Sequence, residues 1–306
     1  MTRAVVFAYH NVGARCLRVL RAHGVDVPLV VTHADDPGEE CWFERVSDVA
    51  EDLGLAWIAP DDPNAPDIVA RIAALAPDFL FSFYYRRMLG LAVLALPRSG
   101  ALNLHGSLLP RYRGRAPVNW AILHGERRTG ATLHYMVEKP DAGDIVAQQA
   151  VPILPDDTAR EVFDKVTVAA EIALDAVLPA LAAGTAPRRP QNLAEGSYFG
   201  GRSAKDGRID WRRNARQIHD LVRAVAPPYP GALTYVAQWP ARILSTRVVD
   251  ETSRTDMPAL RVRNGVIHAD CGGGGRLLVR TLEIDKQPYD ADLLLAAFGD
   301  RPVPLV

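Results

Sequence analysis

Short apolar runs rich in β-branched and aromatic residues alternate with helical stretches through the first part of the chain. Such alternation is typical of an open parallel sheet covered by helices. The pattern predicts strands at residues 4–8, 25–32, 56–59, 79–83, 101–105 and 132–137. It predicts helices at residues 13–23, 43–53, 67–75 and 116–123. The fold class is therefore α/β, with an open and mainly parallel sheet.

A longer helix is predicted after residue 158. Thr158 and Glu161 have the spacing of a capping box, and apolar residues then recur on one helical face as far as Val177. Pro179 has no backbone N–H to donate, so we expect it to bend or end this helix.

The chain changes character after this helix. Residues 185–207 are rich in Gly, Pro, Arg and Ser and are interpreted as a linker between a domain at residues 1–184 and a second at 208–306. The second domain begins with a predicted helix at 214–225 and continues with β-like runs at 260–263, 266–269 and 277–280, which favour a small β-barrel. The glycines at 272–275 have no helix after them, so they indicate a hairpin turn rather than a phosphate loop.

Composition limits the partners. The 306 residues carry 35 Lys and Arg against 36 Asp and Glu, so no strong field favours nucleic acid or membrane insertion, and small-molecule substrates are expected. Three cysteines far apart, and an N-terminal apolar run too short for a signal peptide, favour a cytoplasmic protein. No His, Cys and carboxylate pattern has metal-ligand spacing, so no metal is predicted.

Candidate chemistry is concentrated between residues 101 and 148. Asn103 and His105 lie two apart on a predicted strand, so both side chains leave the same face, and Asp141 follows the next predicted strand. Acyl transfer to an amine needs an oxyanion donor and a proton route, which Asn, His and Asp supply. Taken singly, Asn103 is more often a strand-end cap and His105 a satisfied core histidine, and Asp141 is equally a turn residue. His10, His124 and His134 have no better individual claim.

The segments NLHGSLLPRYRGRAPVNW and DAGDIVAQ together resemble the signature of the folate-dependent formyltransferase family. The resemblance implies that Asn103, His105 and Asp141 are catalytic. It also implies a Rossmann-like catalytic domain with the formyltransferase fold, a smaller C-terminal OB-like domain, and 10-formyltetrahydrofolate as formyl donor.

By the same resemblance, the folate pocket draws on nine residues: Arg87, Met88, Leu89, Arg115, Val137, Glu138, Lys139, Pro140 and Asp141. A nucleotide-sugar acceptor needs cations for its phosphates and an aromatic face for its base. Tyr198 and Arg202 of the linker, together with Tyr9 and His10 after the first strand, are the candidates. An ordinary solvated connector explains the linker composition equally well.

Within the family, the chain most resembles the branch that acts on nucleotide-linked amino sugars, in particular UDP-4-amino-4-deoxy-L-arabinose. Three alternatives stay open: formylation of methionyl-tRNA, hydrolysis of 10-formyltetrahydrofolate, and a non-catalytic folate-binding or scaffold role. The sequence has no GxGxxG fingerprint after a strand. An associated oxidative step would therefore belong to a separate dehydrogenase partner, and a homo-oligomer is the other expected assembly.

Overall fold

The computed structural model describes residues 1–35, 38 and 41–306, which form two compact units. The first unit comprises Met1–Pro117, Arg128–Pro152 and Asp164–Gly200, and the second comprises Val118–Arg127, Ile153–Phe163 and Gly201–Val306. The boundaries at residues 184 and 208 remain a prediction. Within the described ranges, no helix is long and apolar enough to cross a membrane.

The strands of the first unit are β1 (Arg3–Ala8), β2 (Asp26–Val31), β3 (Trp57–Ile58), β4 (Phe79–Phe83), β5 (Gly100–His105), β6 (Arg113–Gly114), β7 (Arg128–Tyr135), β8 (Ile145–Pro152) and β9 (Tyr198–Phe199). Seven of them form one sheet in the order β3-β2-β1-β4-β5-β7-β8, and β6 pairs with β9. All neighbours from β3 to β5 are parallel, whereas β7 is antiparallel to both β5 and β8. The prediction of an open, mainly parallel sheet is confirmed.

The central strands explain why the sheet forms. All five residues of β4 and five of the six in β1 are buried, which is the continuous apolar run expected when helices cover both faces. No strand is predicted from the sequence at Ile145–Pro152. As the outermost strand β8 is only partly buried and carries Gln148 and Gln149, so its pattern lacks the apolar signal of the inner strands.

The helices are α1 (His10–Ala22), α2 (Val46–Asp52), α3 (Pro66–Ala74), α4 (Leu91–Leu94), α5 (Pro117–Leu123), α6 (Ala159–Ala182), α7 (Ala215–Ala224) and α8 (Ala291–Phe298). The capping box before α6 is confirmed, because Glu161 N donates to Thr158 Oγ1 and Thr158 N donates to Glu161 Oε2. Of the two outcomes predicted for Pro179, a bend or an end of the helix, the structure contradicts the end. The helix runs on to Ala182, and the chain leaves it through Gly184, whose φ of 70° favours glycine.

The second unit is a small antiparallel barrel. Its strands are β10 (Ala232–Val236), β11 (Trp239–Asp250), β12 (Ala259–Arg263), β13 (Val266–Asp270), β14 (Arg276–Ile284), β15 (Gln287–Tyr289) and β16 (Val303–Pro304). They follow the order β10-β11-β14-β13-β12-β16, and a bridge between Val236 and Leu305 joins the two ends. The predicted OB-like domain is confirmed, as is the hairpin turn at 272–275 between β13 and β14.

Candidate active site

Two neighbouring strands carry the polar side chains of the candidate site. Asn103 and His105 lie on one face of β5, because they are two residues apart on a strand. Asn103 is directly opposite His134 in the antiparallel register between β5 and β7, so these two side chains share that face. Asn103 Nδ2 lies 3.2 Å from His134 Nε2. One amide and two imidazoles therefore occupy the same patch of the sheet.

Asp141 reaches this patch from the connection between β7 and β8. Because β7 is antiparallel to β5, the connection leaves near the beginning of β5 and returns along the face of the sheet. Asp141 Oδ1 lies 3.6 Å from His105 Nδ1 and 3.5 Å from His134 Nε2. Its distance to Asn103 Nδ2 is also 3.5 Å. The three side chains predicted to be catalytic thus form one cluster, with His134 as a fourth member.

The surroundings of Asp141 stabilise its ionised form. Burial alone would raise the pKa of its carboxyl. The His105 imidazole, a hydrogen bond with His134 and the Gly114 backbone N–H outweigh burial and hold that pKa well below its ordinary value. Gly114 N donates to Asp141 Oδ2 at 2.9 Å. A carboxylate with so low a pKa is a weak proton acceptor, so its main effect is to favour positive charge beside it.

His105 is held by a backbone carbonyl as well as by Asp141. Its Nε2 donates to Tyr112 O at 2.7 Å, and since a carbonyl oxygen only accepts, the proton on Nε2 is assigned by this bond. Nδ1 is then the nitrogen that faces Asp141, at an ion-pair distance. The side chain of His105 is only 7% exposed. Both ring nitrogens therefore have partners within the protein.

The loop between β5 and β6 places the Tyr112 carbonyl. Ser107 Oγ donates to Arg111 O at 2.7 Å and to Tyr112 O at 3.3 Å. Thr132 Oγ1 on β7 donates to Ser107 O at 2.6 Å and accepts from Leu109 N at 3.1 Å. These bonds tie the loop to the strand beside the catalytic cluster. The polar residues of the GSLLPRY segment therefore serve to hold His105 in place.

Gly114 is constrained by two features. Its φ is 95°, a region that only glycine enters freely, and a Cβ there would overlap the Phe199 carbonyl oxygen. The approach is close because β6 and β9 pair in parallel, with Arg115 N donating to Phe199 O. A stretch of the predicted linker thus supports the backbone N–H that binds Asp141.

His134 is the residue that sequence reasoning missed. Its Nδ1 donates to Tyr135 O at 2.8 Å, which leaves Nε2 facing both Asn103 Nδ2 at 3.2 Å and Asp141 Oδ1 at 3.5 Å. Nε2 accepts from the Asn103 amide when the ring is neutral and donates to the Asp141 carboxylate when the ring is protonated. A usable signal exists in the sequence: an antiparallel pairing of β5 with β7 puts His134 opposite Asn103. To use that signal, one must know that β7 runs antiparallel to β5. The α/β pattern of the sequence instead predicts parallel strands.

Gln191 is a second residue that the sequence analysis did not identify, and no sequence pattern indicates it. Its Nε2 donates to Asp141 O at 3.0 Å and to Gly143 O at 2.6 Å. Asp141 itself has φ of 54°, which is uncommon for a residue other than glycine and requires support from its surroundings. The Gln191 side chain provides that support.

The residues predicted to bind folate have mixed environments. Met88 and Val137 are apolar side chains that are 64% and 47% exposed, which suits packing against an aromatic ligand. Arg115, Glu138 and Lys139 are exposed, while Arg87 contacts Pro60 O, and Pro140 is partly buried. Leu89 is 6% exposed and belongs to the hydrophobic core.

The residues predicted to bind the acceptor do not gather in one described cluster. Tyr9 and His10 are buried among aromatic rings, with His10 stacked on Phe43 at 4.1 Å. Tyr198 is 59% exposed, and its ring lies against Gly114. Arg202 belongs to the second unit, where it lies over the Trp120 ring at 4.7 Å.

Solved structures similar to this chain include several N-formyltransferases. An N-formyltransferase from Helicobacter canadensis, in complex with folinic acid and dTDP-3-aminofucose, is 18% identical with a TM-score of 0.70 over 94% of this chain and 100% of that chain. WlaRD, a sugar 3N-formyltransferase, is 18% identical with a TM-score of 0.69, covering 91% and 97% of the two chains. A sugar N-formyltransferase from a Shewanella species is 20% identical with a TM-score of 0.61, covering 76% and 92%. At these identities the likeness shows the fold.

Family models match both halves of the sequence. Residues 3–178 match the formyl transferase family, and residues 202–299 match the C-terminal domain of formyl transferases. The first match covers more than half of the chain and includes all four residues of the polar cluster on β5, β7 and their loops. The chain therefore belongs to the formyl transferase family and carries both the formyl transferase domain and its C-terminal domain.

Proposed function

We propose that this enzyme transfers the formyl group of 10-formyltetrahydrofolate to the amine of a nucleotide-linked amino sugar. The proposal is carried by the cluster of Asn103, His105 and Asp141 on one face of the sheet. In this cluster Asp141 Oδ1 lies 3.6 Å from His105 Nδ1 and 3.5 Å from Asn103 Nδ2. It combines a neutral donor for an oxyanion with a fixed negative charge. Exposed Met88 and Val137 offer apolar surface for the folate.

In the proposed reaction, the neutral amine attacks the formyl carbon and forms a new C–N bond. The carbonyl oxygen becomes an oxyanion, which the proposal assigns to an N–H of Asn103. Asn103 Nδ2 faces His134 Nε2 at 3.2 Å and Asp141 Oδ1 at 3.5 Å, and the longer of these two contacts would give way to the oxyanion. Preorganised donors of this kind account for a large share of catalysis in acyl transfer.

Asp141 is proposed to stabilise the positive charge that develops on the attacking nitrogen. Its carboxylate favours that charge because its own pKa is held low. Collapse of the tetrahedral intermediate breaks the bond from carbon to N10 of the folate. N10 then takes up the proton that the attacking amine has shed, so the products are the formamide and tetrahydrofolate. His105, fixed between Tyr112 and Asp141, positions the carboxylate.

For the acceptor, we propose UDP-4-amino-4-deoxy-L-arabinose, which connects the enzyme with lipid A modification and polymyxin resistance. The support is sequence resemblance: FAYHNVG, THADDPGE, FSFYYR and RAVAPPYPGA are similar to segments of the formyltransferase domain of the bifunctional polymyxin-resistance protein. Residues 36, 37 and 39 of the second segment lie outside the described residues. The Helicobacter and Shewanella structures, named as N-formyltransferases, add support from fold.

The test is a competition between acceptors at fixed 10-formyltetrahydrofolate. We expect UDP-4-amino-4-deoxy-L-arabinose to be formylated far faster than methionyl-tRNA at physiological salt, and tetrahydrofolate release to depend on the amine. Mass spectrometry of the sugar product and absorbance of tetrahydrofolate measure the two quantities. Faster reaction with methionyl-tRNA, or equal release without any amine, would contradict the proposal.

A further inference from the structure

Arg113 is a buried cation for which the described residues provide no ion-pair partner. The residue is 7% exposed, and its Nε and Nη1 are buried with no hydrogen-bond partner. Within residues 1–35, 38 and 41–306, no carboxylate forms an ion pair with it. A guanidinium cannot lose its proton in a protein, so this residue stays charged in a site that provides no counter-charge.

Arg223, another strongly buried arginine among the described residues, has partners for its charge. Arg223 is 6% exposed, and it pairs with the Asp220 carboxylate at 2.7 Å and donates to Asp157 O at 3.1 Å. Buried charges are ordinarily paired in this way, because an isolated one is costly to remove from water. The unsatisfied nitrogens of Arg113 therefore indicate that its partner is a bound anion.

The position of Arg113 in the chain connects that anion with the reaction. The residue before it, Tyr112, accepts the hydrogen bond of His105, and the residue after it, Gly114, donates to Asp141. Arg113 thus lies between two backbone groups, the Tyr112 carbonyl that binds His105 and the Gly114 N–H that binds Asp141. A ligand bound to Arg113 would therefore lie next to the backbone groups that hold His105 and Asp141.

The neighbouring strand adds an aromatic ring. Arg113 and Tyr198 are register partners in the parallel pair of β6 and β9, so their side chains leave the same side of that pair. Tyr198 is 59% exposed, and its Cζ is 3.2 Å from the position of a Cβ on Gly114. A guanidinium beside an exposed ring is suited to a phosphate joined to a planar base.

We infer that Arg113 binds the diphosphate of the nucleotide-linked acceptor, with Tyr198 beside it as a face for the base. This inference rests on the proposed function for the nature of the acceptor. The guanidinium fork matches two phosphate oxygens, which lysine cannot reproduce. Arg113 is thus a specificity-determining residue that rejects amines lacking a phosphate.

The experiment compares Arg113→Met and Arg113→Lys with wild type and with Arg128→Met, an exposed arginine on β7. Titration calorimetry with UDP and with inorganic pyrophosphate measures anion binding. Titration with 5-formyltetrahydrofolate, a non-reacting folate, measures the other substrate. Steady-state kinetics gives KM for each substrate and kcat.

Arg113→Met is expected to weaken UDP binding and to raise the acceptor KM by about 10- to 100-fold, since a charge-assisted hydrogen bond is lost. Folate affinity stays at the wild-type value, and Arg113→Lys is intermediate. Without ligand, Arg113→Met keeps or raises the melting temperature, because replacing an uncompensated buried charge with an apolar side chain removes a desolvation cost. Arg128→Met matches wild type throughout.

Three results would overturn the inference. The first is that Arg113→Met binds UDP and pyrophosphate as tightly as wild type. The second is that this variant loses affinity for the folate alone. The third is a lower melting temperature with unchanged KM values, which would mean that Arg113 has only a structural role. The proposed function is tested separately. If wild type formylates no nucleotide-linked amino sugar but Arg113→Met still loses pyrophosphate binding, the function fails and the anion site stands.

Discussion

Two regions of the same sheet hold histidines in opposite electrostatic surroundings. His33 follows β2 and lies among aromatic and cationic groups: it stacks on Tyr85 at 4.1 Å, and its Nε2 accepts from Arg86 N at 3.0 Å. Burial, followed by the charges of Arg87 and Arg86, lowers the pKa of His33 to about 4. This imidazole is neutral at physiological pH.

The other region lies over β5 and β7, where His105 and His134 face the Asp141 carboxylate at 3.6 and 3.5 Å. Both side chains are more buried than His33, yet a negative charge adjoins them instead of two arginines. Burial alone therefore does not decide the electrostatic surroundings of an imidazole. The sign of the nearest charge differs between His33 and the two histidines of the candidate site.

The largest expected effect comes from removing the negative charge of the catalytic cluster. Asp141→Asn is expected to lower kcat about 100- to 1,000-fold, the range found when one electrostatic element of an acyl-transfer site is lost. Asp144→Asn, three residues away on the same connection, is the matched control and should retain activity. Stopped-flow or steady-state release of tetrahydrofolate measures the rates. Near-normal turnover of a folded Asp141→Asn would remove the distinction between the two regions.

The second prediction tests the backbone N–H that binds Asp141. Gly114→Ala adds a Cβ that would overlap the Phe199 carbonyl oxygen at a positive φ, so β6 and β9 must separate and kcat should fall by more than about tenfold. Gly184→Ala is the control, since Gly184 also has positive φ but nothing lies within 4 Å of the added atom. Equal activity of the two variants would show that crowding at Gly114 is unimportant. Circular dichroism confirms that both are folded.

The third prediction concerns the missed histidine. His134→Ala removes one partner of Asn103 Nδ2 and one partner of Asp141. One hydrogen bond of this kind contributes about 1 kcal/mol, so kcat should fall about fivefold. His134→Gln keeps an acceptor oxygen and should lose less. His124→Ala, an exposed histidine, serves as control. If His134→Gln and His134→Ala lose the same activity, the hydrogen bond to Asn103 is not the reason.

The smallest effect is a pH dependence of stability caused by His33. The folded protein binds the His33 proton only near pH 4, whereas the unfolded chain binds it near the ordinary pKa of 6.5. The neutral imidazole therefore contributes stability that is fully present above pH 6.5 and is lost as pH falls toward 4. Urea unfolding of wild type and His33→Gln across this window should show a steeper decline for wild type. Parallel curves would contradict the assignment.

The two regions also differ in how much of them the sequence predicts. Strands β1, β4 and β5 follow from apolar runs, and Asn103 with His105 follows from two-residue spacing on a strand. The antiparallel direction of β7 does not follow, because an amphipathic or apolar strand has the same pattern in either direction. That direction alone decides that His134 lies opposite Asn103.

The sequence by itself determined the α/β class, the OB-like second domain and the family, because periodicity and a long motif are local properties of the chain. Only the tertiary structure decided which groups surround Asp141. The Gly114 N–H and the Gln191 side chain come from segments 27 and 50 residues away. The isolated charge of Arg113 is likewise invisible in the sequence. Burial and missing partners depend on everything packed around a side chain, and no local pattern encodes that.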